Sequence, residues 1–171
     1  MRYYTVTSAT LNSTPEPRAG MILPADYPQA FLPPLITELH QSFAAWGRAG
    51  YAPGPLHPLR VWFNPQGELA FAREGDPQPA TGSGIAQDLA AWLTLLDGWM
   101  ETFVVIARAR AVWSVAELAG ALSFTTPAYL PRAVMEQSPE SWLRVAQALA
   151  TAVADGPLQG EAQNRHWQEQ A

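Results

Sequence analysis

The small number of histidines and the absence of cysteine and lysine limit the chemistry that this chain could perform. It contains three histidines, His40, His57 and His166, but no cysteine and no lysine, so its ten basic residues are all arginine. No two histidines have the i, i+4 spacing of a metal-binding helix, and cysteine-ligated zinc is excluded. Thiolate nucleophiles, Schiff-base lysines and the P-loop lysine are excluded as well. We therefore expect no catalytic, cofactor-binding or metal-binding residues.

Two short patterns could hold an ion, and each has a simpler interpretation. Asp97 and Glu101 lie four residues apart in a predicted helix and would share a face, but no histidine accompanies them. We interpret the pair as a solvated acidic face that pairs with Arg108. The segment 81–84, Thr-Gly-Ser-Gly, precedes a helix and could bind phosphate through backbone N–H groups. It lacks the Walker and nucleophile-elbow patterns, so we interpret it as a linker ending in the helix cap Ser83.

Tryptophan is overused, with seven copies in the chain. Most of them follow the apolar stripes of predicted helices, which is typical of core packing. Trp62 and Arg60 fall on the less apolar face of a predicted hairpin, and Trp167 lies in a polar tail. Because exposed aromatic and arginine side chains often anchor protein interfaces, Trp62, Arg60 and Trp167 are the candidate partner-binding residues.

The segment 114–134 has the pattern of two short helices joined by a polar turn. Ser114 and Glu117 form a capping box that opens the first helix, and Thr126 and Pro127 are typical of the start of the second. The residues that match a known pattern are Leu118, Ala119, Leu122, Tyr129, Leu130 and Arg132. With them the segment resembles the helix-turn-helix of bacterial transcription regulators, especially of the AraC type.

That resemblance implies a recognition helix over residues 126–134 and DNA contacts by Thr126, Tyr129 and Arg132. The turn is one residue longer than in that family, and Pro131 falls inside the implied recognition helix. The formal net charge of −5 disfavours a nucleic-acid partner, because non-specific affinity comes mainly from neutralising phosphates. The alternative interpretation is a pair of short helices that pack into the core.

The elements expected to position these residues are mainly helical. Apolar periodicity and turn residues predict helices over 34–46, 85–112 and 138–154 and a β-hairpin over 59–73, with residues 3–11 as a candidate third strand. The long helix carries one apolar stripe, made of Ile85, Leu89, Trp92, Leu96, Trp99, Phe103 and Ile106. Gly98 within it indicates a close helix crossing. The predicted class is α+β, a helical bundle around one long central helix with the hairpin packed on one side.

Length and composition predict one globular domain over residues 1–157, with a proline-rich arm at 12–34 and a polar tail at 158–171. The first residues lack a signal-peptide pattern, and no apolar segment approaches the roughly 20 residues of a membrane span. We therefore expect a cytoplasmic protein with no membrane partner.

The function expected from these observations is that of a non-enzymatic interaction or accessory subunit of a bacterial cytoplasmic complex. The missing catalytic constellation, the proline-rich arm and the surplus tryptophan all favour a protein partner or a homo-oligomer. The alternative is a DNA-binding regulator that uses residues 114–134. A small-molecule enzyme of unknown reaction, with a carboxylate acting beside arginine, is the third hypothesis.

Overall fold

A computed structural model describes residues 32–49, 51–52, 56–58, 61–63, 69–71, 78–79 and 81–156 of the chain. Helices hold most of these residues. In chain order the elements are α1 (Leu32–Arg48), β1 (Tyr51–Ala52), β2 (Val61–Phe63), β3 (Leu69–Phe71), β4 (Gln78–Pro79), α2 (Gly82–Asp97), α3 (Thr102–Ala109), α4 (Val115–Leu122), α5 (Arg132–Gln137) and α6 (Ser141–Ala154).

The predicted α+β class is wrong, because the described structure is mostly helical and contains no β-hairpin layer. Strand pairing is confined there to two short antiparallel contacts, β1 with β4 and β2 with β3. The longer contact pairs only Val61 with Phe71, Trp62 with Ala70 and Phe63 with Leu69. Two strands of this length are too small to form an independent layer. Residues 64–68 and 3–11 lie outside the described part of the chain.

The prediction of one long helix over 85–112 is also wrong, since α2 ends at Asp97 and α3 begins at Thr102. The Gly98 N–H bonds back to the carbonyls of Leu95 and Leu96, which tightens the end of α2. Glu101 then adopts an extended conformation, with ψ of 132°, before α3 starts. A helix cannot pass through an extended residue, so the apolar stripe changes direction at this corner.

Gly98 follows the last residue of α2 rather than lying inside a longer helix, and it lies against the end of the Gln137 side chain. A Cβ atom at this position would lie 2.9 Å from Nε2 of Gln137, in α5, and 3.2 Å from the Leu95 carbonyl oxygen. The φ of Gly98 is −69°, which any residue adopts, and a Cβ atom there would require the end of the Gln137 side chain to move.

The core is built around α2, in which every residue from Leu89 to Asp97 is buried. This helix packs against α3, α4, α5 and α6, and α1 packs against α3. Of the predicted stripe, Leu89, Trp92, Leu96, Trp99 and Ile106 are buried, as expected. Phe103 is instead 67% exposed, because it follows the corner and no longer faces the direction that a continuous helix would give it.

Three of the predicted helices are confirmed, and two of them have shifted ends. The helix expected over 34–46 extends over Leu32–Arg48. The capping box of α4 is present, with the Ser114 hydroxyl accepting from the Glu117 N–H at 3.3 Å and the Glu117 carboxylate accepting from the Ser114 N–H at 2.7 Å. The last helix ends at Ala154 as predicted, although it begins at Ser141.

Two predicted helix starts are wrong. Thr81 rather than Ser83 caps α2, with its hydroxyl accepting from the Gly84 N–H at 3.1 Å. Thr126 does not open a helix, and α5 begins only after Pro131, which is its N-cap residue. Proline has no backbone N–H. Before the first turn of a helix no such group is needed, because the first N–H groups make no bond within the helix, whereas inside the helix proline would remove a hydrogen bond.

No helix in the described part of the chain combines the length and the apolarity needed to cross a membrane.

Candidate functional site

The corner between α2 and α3 contains a buried charged group. The side chain of Asp97 is 1% exposed, and its Oδ2 accepts from Arg144 Nη2 at 2.6 Å and Nε at 3.1 Å. Its Oδ1 accepts from the hydroxyl of Thr102. Asp97 therefore joins α2 to α3 and to α6. The expected solvated acidic face that pairs with Arg108 is wrong for Asp97, although Glu101 is exposed.

Arg144 connects the buried Asp97 carboxylate to the surface, because about half of the Arg144 side chain is accessible to solvent. Its Nη2 atom also donates to the Ser141 hydroxyl at 3.1 Å, and its Nη1 atom lies 4.0 Å from the Glu140 carboxylate. The guanidinium is thus held on its protein side while about half of the side chain remains accessible. A charge fixed in this way loses little conformational freedom if a partner binds it.

An open groove of about 700 Å³ lies beside this ion pair. Met100, Phe103 and Arg144 line it. We call Met100, Phe103 and Arg144 the corner surface. Aromatic, methionine and arginine side chains are the types enriched at protein interfaces.

A second polar cluster lies inside the bundle, around His40 of α1. His40 Nδ1 accepts from the indole N–H of Trp92 at 3.1 Å, and His40 Nε2 lies 2.9 Å from the carbonyl oxygen of Val105. Because a carbonyl can only accept, Nε2 carries the proton and the ring is the neutral Nε2–H tautomer. Trp113 packs edge-on against the ring, with centroids 4.9 Å apart. We call these residues the His40 cluster.

Burial lowers the pKa of His40 to about 4, and the hydrogen bond to the Val105 carbonyl offsets only part of that decrease. A protonated ring would also turn its Nδ1–H toward the N–H of Trp92, so two donors would face each other. His40 is completely buried and cannot touch a ligand from solvent. Its role is to connect three helices.

A cavity of about 240 Å³ opens between α1, α2 and the start of α4. Its inner wall includes Phe43, Ile85 and Trp113, and its charged lining consists of Arg48, Asp88 and Glu117. We call this space the α1–α2 cavity. It shares no lining residue with the groove at the corner surface.

The predicted partner-binding residues fall mostly outside the described part of the chain. Trp62 lies in β2 opposite Ala70, but its side chain is not among those described. Arg60 and Trp167 lie outside the described residues. Their role in binding stays a prediction.

The predicted DNA-binding residues lie on a turn and a short helix rather than on one recognition helix. Thr126 is partly buried and Tyr129 is half-exposed, and both precede α5. Tyr129 packs edge-on against Phe124, with ring centroids 5.2 Å apart. The Arg132 side chain is 91% exposed and pairs with Glu136 at 2.6 Å. The structure therefore brings Tyr129 and Arg132 to the same segment but not to the same helix.

Within the described residues, no group of three or more histidine, aspartate or glutamate side chains is arranged to hold a metal ion. Comparison of the chain with protein-family models, curated proteins and solved structures finds no match. A functional proposal for the chain therefore depends on the chemistry of its own surfaces.

Proposed function

We propose that this chain is a non-enzymatic interaction subunit that binds a partner protein through the corner surface. The observation that carries the proposal is the exposure of Phe103, a large aromatic side chain left 67% accessible in a mainly apolar helix. Arg144, whose guanidinium is held by Asp97, lines the same groove. Phenylalanine and arginine are both among the residue types enriched at protein interfaces.

The chemistry of the corner surface indicates what the partner should present. Phe103 offers an apolar contact, and the accessible part of Arg144 offers donors to a carboxylate or a carbonyl. Because Asp97 already neutralises Arg144, this contact should tolerate salt better than an unpaired surface charge would. We therefore expect an apolar segment of the partner with an acceptor group at its edge.

The test is capture of partners by the tagged full-length chain from its native host, followed by affinity measurement with the purified partner. We expect a stoichiometric protein partner that survives nuclease, and an increase of at least about 30-fold in Kd for Phe103→Ala. Tyr129→Ala is the matched control, because Tyr129 is also an exposed aromatic side chain but lies outside the corner surface. Equal binding by wild type and Phe103→Ala would contradict the proposal.

A second copy of the chain is one form that the partner could take. Light scattering coupled to size-exclusion chromatography distinguishes this case, since Phe103→Ala would then convert a dimer into a monomer. The same Tyr129→Ala control should leave the dimer unchanged.

DNA binding through residues 114–134 is the second candidate, and the exposure of Tyr129 and Arg132 supports it. The Arg132–Glu136 pair weakens it, because the carboxylate opposes a phosphate at the same place. Fluorescence anisotropy with duplex DNA at low salt is the direct measurement. Salt-sensitive binding that is lost in Arg132→Ala and kept in Phe103→Ala would establish this candidate over the first.

A further inference from the structure

We propose that the α1–α2 cavity is a binding site for a small neutral molecule with one apolar ring, such as an alkylbenzene. The proposal rests on the space between α1 and α2, on the aromatic side chains that fix its walls, and on the charged groups of its lining, which are engaged with the protein. It is independent of the proposed function, because the described linings of the two sites have no residue in common.

The space between α1 and α2 is set by the sizes of the residues that face it. A stack of Phe43 on Trp92 separates the two helices, with ring centroids 4.8 Å apart and an interplanar angle of 3°. Ala44 and Gly47, three residues apart on one side of α1, both line the cavity and are too small to fill it. In the described part of the chain, α1 therefore packs mainly against α3 and β1 rather than against α2.

Size limits the ligand to about one ring. The cavity volume of about 240 Å³ equals roughly eight water-sized volumes, at about 30 Å³ for each water in the liquid. An apolar cavity of about 150 Å³ already accepts benzene, so a ring with a short alkyl group fits and a nucleotide does not.

The walls of the cavity are fixed by contacts behind them. The stack on Trp92 holds Phe43 in place. Trp113 packs edge-on against His40, whose ring is bonded through both nitrogens. Because both aromatic side chains are held before a ligand arrives, binding requires little further ordering of the wall, and the fixed rings favour a flat apolar ligand. The rest of the described uncharged lining is apolar and consists of Ala44, Gly47, Ile85 and Leu89.

The charged groups of the lining are engaged with the protein. Arg48 Nη2 donates to the carbonyl of Val112 at 2.8 Å. Glu117 Oε2 accepts from the N–H and from the hydroxyl of Ser114, both at 2.7 Å. Asp88 has an interaction of its own, and its Oδ2 atom is closed to solvent. The described lining therefore does not favour either sign of charge, and an ionic ligand would lose its hydration without gaining a partner. A neutral ring loses no such hydration.

The first test compares three ligands of similar shape and different charge against the full-length chain by isothermal titration calorimetry. They are toluene, benzylamine and benzoate. We expect toluene to bind with a Kd of about 1 mM or below, and each ionic ligand to bind at least about tenfold more weakly. Failure of toluene to bind the folded chain, or binding of either ion as tightly as toluene, would overturn the proposal.

The second test places the binding in this cavity by filling it. Ala44→Leu extends a side chain from α1 into the space and keeps a residue that favours a helix, so toluene binding should be lost. Ala150→Leu, on an exposed face of α6, is the matched control and should bind toluene as wild type does. Circular dichroism checks that both variants fold. Unchanged toluene binding in a folded Ala44→Leu chain would refute the site.

The third test enlarges the cavity and does not depend on the folding of Ala44→Leu. Ile85 lines the cavity and is only partly buried, so Ile85→Ala should remove part of the wall at a smaller cost in stability than a core substitution. Toluene should bind this variant more weakly, and the affinity for indole, a larger neutral molecule, should rise relative to that for toluene by at least about threefold. An unchanged ratio of the two affinities would show that the ligands bind elsewhere.

Discussion

The His40 cluster and the Asp97–Arg144 corner both join three helices through a polar side chain, yet they differ in charge and in distance from solvent. His40 is neutral, completely buried and bonded through both ring nitrogens to groups of α2 and α3. Asp97 is also buried, but its counter-ion Arg144 remains about half accessible. The neutral junction lies inside the bundle, and the charged junction lies at its edge.

This difference follows from the cost of desolvation. A neutral imidazole needs only two hydrogen-bond partners, whereas a pair of ions buried completely would lose hydration worth several kcal/mol for each ion. Keeping Arg144 at the surface avoids part of that cost. The same arrangement places a fixed cation beside the exposed Phe103, so the structural demand of a buried aspartate also creates the corner surface.

Removal of Arg144 should have the largest effect on stability. Arg144→Met leaves the Asp97 carboxylate buried with only the Thr102 hydroxyl as a described partner, and we expect a loss of about 3–4 kcal/mol in the free energy of unfolding. Urea unfolding followed by circular dichroism measures it. A loss below about 1 kcal/mol is the value of an ordinary exposed ion pair and would show that the corner is not a buried-charge site.

The double variant Asp97→Asn/Arg144→Met is the matched control for that measurement. It removes the buried charge together with its counter-ion, so it should be more stable than Arg144→Met alone. The difference between the double variant and the sum of the single variants should reach at least about 1 kcal/mol. Simple additivity would mean that Asp97 and Arg144 act independently.

Acid should have the second-largest effect on stability, because it protonates His40. The pKa of His40 is about 4 in the folded chain and about 6.5 in the unfolded chain, so the unfolded state binds the proton first as the pH falls. The contribution of His40 is therefore complete above pH 6.5 and is lost as the pH falls toward 4, by roughly 3 kcal/mol. Urea unfolding at several pH values between 7 and 4 gives the change.

His40→Gln separates this effect from the titration of other groups. A glutamine amide can donate to the Val105 carbonyl and accept from the Trp92 N–H, and it does not titrate. The variant should lose less stability than wild type between pH 7 and 4. Parallel pH profiles for the two proteins would show that His40 does not control the acid sensitivity of the bundle.

Local signals in the sequence predict the presence of α1, the last residue of α6 and the capping box of α4, because those features depend on neighbouring residues. The same local signals do not predict the polar contacts of His40 and Asp97. His40 meets Trp92 and Val105 from 52 and 65 residues away, and Asp97 meets Arg144 from 47 residues away.

The division of the predicted long helix shows how a strong periodic pattern misleads. The apolar stripe continues through Phe103, so periodicity alone favours one helix across the corner. The competing signals are the glycine at 98 and the polar pair Asp97 and Thr102, whose side chains bond to each other across the turn. The ion pair with Arg144, a residue distant in sequence, stabilises the buried aspartate. Phe103 is exposed, so the buried apolar stripe ends before it.

Removal of the Thr102 hydroxyl should have the smallest effect on the free energy of unfolding, and it tests one hydrogen bond of the corner. Thr102→Val keeps the shape of the side chain but removes the donor to Asp97 Oδ1, so we expect a loss of about 1 kcal/mol in the free energy of unfolding. Thr102→Ser retains the hydroxyl and should be more stable than Thr102→Val. Equal stabilities for the two variants would mean that the hydroxyl contributes nothing and that Arg144 alone compensates Asp97. Higher stability of Thr102→Ser than of Thr102→Val would show that the buried carboxylate needs both a charged partner at the surface and a neutral donor inside. This requirement distinguishes the corner from the His40 cluster.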